Sequence, residues 1–201
     1  MLKRSFSLLA AVALVATASG CANQKAPAEA AIAAAETAFS AVQADAAKYV
    51  PDQAKGISDA IAAAKDAVAK GDYQAALTNA QALPAKITDL TTAVTAKKAE
   101  LTSTWTGLST ALPKAVEAIQ RRIGMLSKSK KLPAGLDKAK FEDAKTGLAT
   151  VTSTWTEATT AFGTGNLTDA IAKAETVKAK AVEVMGLLNM QVPAGLQAAA
   201  K

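Results

Sequence analysis

The chain has 201 residues, enough for one domain or one elongated assembly of helices, and half of them are hydrophobic. Roughly a quarter are Ala and only 4% are aromatic, which predicts thin, close helix contacts rather than a thick aromatic core. The absence of His removes the commonest general base and the commonest metal ligand. The formal charge of +6 comes with interspersed acids and bases and no recognition motif, which argues against nucleic acid as a partner.

Residues 1–20 read as an export signal, with Lys3 and Arg4 as the positive start and "FSLLAAVALVA" (Phe6 to Ala16) as an apolar run too short to span a bilayer comfortably. Without Lys3 and Arg4 the charge of +6 falls to +4. The following "ASGC" (Ala18 to Cys21) contains the single Cys and resembles the lipobox of bacterial lipoproteins, with Ala18 where Leu is usual. The resemblance implies that the Cys21 thiol is diacylated, that the leader is removed before it, and that the new amino group is acylated. Two or more acyl chains exceed what stable membrane anchoring needs. In the Gram-negative members an Asp after the Cys tends to retain the protein in the inner membrane. Here that position is Ala22, which implies the periplasmic face of the outer membrane. "ATA" (Ala16 to Ala18) also satisfies an ordinary signal peptidase, an alternative that leaves Cys21 a free thiol.

Residues 21–28 read as the lipidated Cys and a tether, 29–191 as a helical bundle and 192–201 as a tail. Apolar residues recur at 3,4 spacing through the bundle. Ile32, Ala35, Phe39, Val42, Ala46 and Tyr49 line a first helix, and Ala54, Ile57, Ile61, Ala64 and Val68 a second. Asp52, Asp59 and Asp66 run down the opposite side of the second helix as a solvated face, adjacent members about 10 Å apart. At "GDYQAAL", Gly71 is expected to end that helix in the left-handed conformation and Asp72 to cap a third. The third continues from Ile87 to Leu112, Val116 to Leu126 define a further one, and stripes from Phe141 to Phe162 and Leu167 to Leu188 complete the series. Pro51, Pro84, Pro113, Pro133 and Pro193 each follow an apolar residue and mark helix ends and starts; whether Pro84 and Pro113 break a long helix or kink it stays open.

Three internal echoes accompany this pattern. "LTSTWTGLSTALP" (Leu101 to Pro113) matches "VTSTWTEATTAFG" (Val151 to Gly163) at a spacing of 50, "LPAGL" (Leu132) matches "VPAGL" (Val192), and "GDYQAALTNA" (Gly71) matches "GNLTDAIAKA" (Gly165). Duplication of a helical hairpin is the simplest account. The segment "YVPDQAKGISDAIAAAKDAVAKGDYQAALTNA" (Tyr49 to Ala80) resembles an uncharacterised family of Ala-rich envelope lipoproteins and implies a helical hairpin but no chemistry. Its turn also resembles the second helix of a tetratricopeptide repeat, but a gap of 94 between Gly71 and Gly165 does not fit that roughly 34-residue period.

No residues assemble a catalytic, zinc, haem or phosphate-loop constellation, so no enzyme activity, metal or cofactor is expected. The charge cluster "RRIGMLSKSKK" offers Arg121, Arg122, Lys128, Lys130 and Lys131, with Lys138 and Lys140 beyond, either as a solvated helix end or as a contact for an anionic surface. Trp105 and Trp155 read as core knobs, with an aromatic platform for cell-wall sugars as the alternative. The C-terminal Lys201 resembles the residue that joins an abundant family of helical outer-membrane lipoproteins to peptidoglycan. The expectation is therefore an all-α, elongated antiparallel bundle of about six helices, built from hairpins with an internal duplication. Its expected role is a non-enzymatic, lipid-anchored structural or interaction element, held to the membrane through Cys21 and meeting an unidentified periplasmic protein. A binding module with a small ligand or glycan between its hairpins is the alternative.

Overall fold

The computed structural model describes residues 24–197, so the leader, Cys21 and Lys201 lie outside the described residues. Six helices follow in order: α1 (Lys25–Tyr49), α2 (Pro51–Ala69), α3 (Tyr73–Ser127), α4 (Lys138–Gly163), α5 (Leu167–Leu187) and α6 (Ala194–Gln197). The fold is all-α, with no strand among the described residues.

α1 starts inside the stretch expected to be a tether. Pro27 falls in its first turn, where a missing N–H has no intrahelical partner to lose, and Ala28 is completely buried. The expected tail also packs: Pro193 accepts the Leu196 N–H at 2.9 Å, and Leu196 is buried in the same core as Leu136.

A shared turn explains one of the three echoes. Gly71 and Gly165 have φ of +79° and +76°, the left-handed region that costs Gly least. In both turns the next amide reaches back over five residues, Asp72 N to Ala67 O at 2.9 Å and Asn166 N to Ala161 O at 2.8 Å, which closes a Schellman motif. Asp72 then caps α3 by accepting the Ala75 N–H at 3.0 Å. "LPAGL" and "VPAGL" share a hydrogen bond, Leu136 N to Pro133 O at 3.1 Å and Leu196 N to Pro193 O at 2.9 Å, but not a backbone path: Gly135 has a φ of +83° in a turn, whereas Gly195 lies within α6.

Pro84 and Pro113 do not interrupt α3, which runs unbroken for 55 residues, about 80 Å. The helices expected on either side of Pro113 are one. An interior Pro costs about 3 kcal/mol through a lost hydrogen bond and a clash with the preceding turn. Leu83 and Leu112, the residues just before the two prolines, are completely buried, and the apolar stripe continues in phase on both sides, so packing along the whole helix outweighs the local cost.

α3 is shared by two cores. Its first half, from Ala80 to Val94, packs with α1 and α2 around Phe39, Ile57 and Ile61. Its second half, from Trp105 to Leu126, packs with α4, α5 and α6 around Val151, Val177 and Met185. Between Val94 and Trp105 no residue of α3 is buried. That waist is closed by longer-range contacts: Tyr49 Oη donates to Gly165 O at 3.1 Å, Lys98 Nζ pairs with Asp45 Oδ2 at 2.5 Å, and Lys98 also sits 5.2 Å over the Tyr49 ring. The two bundles thus lie end to end along one helix.

In the second bundle α4 and α5 meet through small side chains. Ala144, Gly147, Val151 and Ala158 face Ala170, Ala174, Ala181 and Val184, and all are buried. A Cβ on Gly147 would stand 2.5 Å from Val184 Cγ2, so the backbones approach as closely as a missing side chain allows. At the edge of this interface Lys173 Nζ pairs with Glu157 Oε2 at 2.7 Å, and hydrogen bonding to that carboxylate raises the Lys173 pKa.

Candidate functional site

The charge cluster lies at the far tip of the second bundle. In the last turns of α3, Ile119, Ile123 and Leu126 point into the core, which turns Arg121, Met125 and Lys128 outward at 3,4 spacing. Arg121, Arg122, Met125 and Lys128, with Met190 from the segment after α5, line an apolar cleft of about 480 Å³ floored by Ala118 and Gly124. Met125 is 60% exposed, the exposed large hydrophobic of the described residues. Lys130 and Lys131 follow in the loop that leads to α4, and both are exposed.

The cations of this tip are weakly neutralised. From Arg121 to Lys140 the chain has seven cations and one carboxylate, Asp137, which caps α4 by accepting the Lys140 N–H at 2.8 Å. Arg121 Nη1 lies 3.8 Å from Glu117 Oε2, an exposed pair of small worth. Among the described residues no carboxylate pairs with Lys128, Lys130, Lys131 or Lys138, and the buried Arg122 Nε has no hydrogen-bond partner. Met190 is the member that sequence reasoning missed, because 68 positions separate it from Arg122. Met125 had a local signal, since it falls four residues after Arg121 on the outward face.

The two Trp residues pack against each other. Trp155 and Phe162 are seven residues apart on α4, about 10 Å along its axis. The Trp105 ring lies parallel to both, 5.3 Å from Trp155 and 4.5 Å from Phe162 between centroids. Those distances place it in the gap between them. Trp105 is 7% exposed and offers no open face to a sugar ring, while Trp155 and Phe162 are half-buried.

A second concavity, of about 820 Å³, runs between α1 and α3 in the first bundle, from Ala38, Ala41 and Val42 across to residues 84–99. Its Thr88, Thr91, Thr92 and Thr95 hydroxyls donate to carbonyls four residues earlier in α3, which leaves methyl groups to the groove. No charged side chain lines it.

Asp52, Asp59 and Asp66 are exposed, and Asp59 and Asp66 pair with Lys55 and Lys70 at 2.5 Å. Among the described residues no three acidic side chains converge as a metal site requires, and no helix is long and apolar enough to cross a membrane. Comparison with known proteins adds no relative: no protein-family model, curated protein or solved structure matches the chain.

Proposed function

We propose that the chain is a non-enzymatic strut of the bacterial envelope, held at the periplasmic face of the outer membrane by acyl chains on Cys21 and meeting a protein or surface at its far end. The observation that supports this reading is the single 55-residue α3 spanning both cores, an architecture that fixes a length rather than enclosing a reaction. α1 and α3 are both antiparallel to α2, and Asp45 stands level with Lys98. The start of α1 therefore lies near residue 78 of α3, and Met125 is roughly 70 Å further along. Mass analysis of the mature N-terminus from membranes, together with fractionation of Cys21→Ser, tests the anchor. An acylated Cys21 and a released variant are expected. An unmodified terminus, or a variant that stays in the membrane, counts against the reading.

A second reading is favoured by the uncharged groove between α1 and α3, which has the size and walls for an apolar chain. Displacement of a solvatochromic probe by a fatty acid, abolished by Thr91→Trp, would support it. No probe binding at all would remove it.

A further inference from the structure

We propose that the tip of the second bundle docks onto the surface of an anionic phospholipid bilayer, with the cleft below Arg121, Arg122 and Lys128 receiving apolar lipid and the cations meeting phosphates. The inference stands apart from the lipidation of Cys21. It rests on three features that coincide at one end of the molecule. The first is charge: seven cations against one carboxylate between Arg121 and Lys140, with Lys128, Lys130, Lys131 and Lys138 free of carboxylate partners among the described residues. The second is an apolar element within that charge, since Met125 is 60% exposed beside a cleft whose floor is Ala118 and Gly124 and whose far wall is Met190. The third is the Arg122 guanidinium, which lines the cleft with no protein acceptor among the described residues, its Nε buried and unpartnered, so that its terminal N–H groups are the donors left for a phosphate oxygen.

An acidic protein surface would satisfy the charge alone. It gives no reason for an uncovered Met in the middle of the cationic rim, whereas a bilayer offers phosphates at the rim and hydrocarbon beneath them. Because the tip is roughly 70 Å from the start of α1, the surface it meets is remote from anything attached near residue 24.

The test uses the full processed chain and two kinds of vesicle: unlabelled neutral phosphatidylcholine, and fluorescent equimolar phosphatidylcholine and phosphatidylglycerol. Flotation with neutral vesicles reports the Cys21 anchor by itself. Protein that floats should then capture the fluorescent anionic vesicles, and protein that does not float should bind them directly, so the anchor and the tip are read separately. Each cation near such a surface strengthens binding about fivefold, so Lys128→Gln/Lys130→Gln/Lys131→Gln should weaken capture roughly a hundredfold, as should salt at about 0.5 M. Met125→Ser should weaken it without changing the salt dependence. These substitutions are at exposed positions, and an unchanged circular dichroism melt shows that the fold persists. Failure to bind anionic vesicles, or equal binding by the triple variant, overturns the proposal. So does salt-sensitive binding to poly-glutamate beads without binding to vesicles, which would identify an acidic protein surface instead.

Discussion

The Tyr49 hydroxyl donates to the carbonyl of Gly165 across 116 positions of chain, and so joins the end of α1 to the turn between α4 and α5. This bond crosses from one bundle to the other at the level where α3 has no buried residue. Tyr49→Phe keeps the buried ring and removes only the hydroxyl. It should cost about 1 kcal/mol in chemical denaturation, and the unfolding of the two bundles should begin to separate. A single transition with unchanged midpoint would show that the bond contributes nothing.

The Trp105 and Trp155 rings, 5.3 Å apart and within 8° of parallel, should couple as an exciton pair. The coupled band in circular dichroism should vanish in Trp105→Phe and in Trp155→Phe alike. Trp105→Ala should destabilise by about 3 to 5 kcal/mol, since it empties the gap between Trp155 and Phe162. Two independent, additive Trp spectra would contradict the stack.

Gly147→Ala should destabilise by about 1 to 3 kcal/mol, because its Cβ meets Val184 in a wall that other side chains already fill. Adding Val184→Ala should recover part of that loss, a non-additivity that thermal melts of the four proteins would reveal.

Pro84→Ala and Pro113→Ala are expected to stabilise. Both positions are helical, so Ala restores an N–H to the ladder, although a more mobile unfolded chain offsets part of the gain. An increase of about 1 kcal/mol or more is expected from each, read as a higher melting temperature. A decrease would mean that the packing requires the backbone geometry that the proline ring fixes.

Lys173 has a raised pKa through its bond to Glu157, so its contribution is fully present below the ordinary value of 10.5 and fades as pH rises through the raised one. The pair is exposed and its effect is small. Glu157→Gln should therefore narrow its stability gap from the parent only in strongly alkaline solution.

Much of the helix pattern was legible in the sequence, because Ile57, Ile61 and Ala64, or Phe141, Ala144 and Val151, repeat at the period that buries one face. The Gly71 and Gly165 turns were legible for a local reason as well, since few residues other than Gly take that conformation cheaply. Continuity of α3 was not. Proline reports a local cost, and the packing of Leu83 and Leu112 that overrides it is a property of the assembled molecule. The same limit applies to the tip, where Arg122 and Lys128 could be named but Met190 reaches them only through the return of α5.

The uninterrupted α3 also ties distance to angular phase. Each residue added between Val94 and Trp105 would lengthen the molecule by about 1.5 Å and rotate one bundle against the other by about 100°. One extra residue would swing Gly165 away from Tyr49, whereas seven return it to within about 20° of its bearing. The span of this protein can therefore be retuned only in coarse steps of about 10 Å, each with its own new junction at the waist.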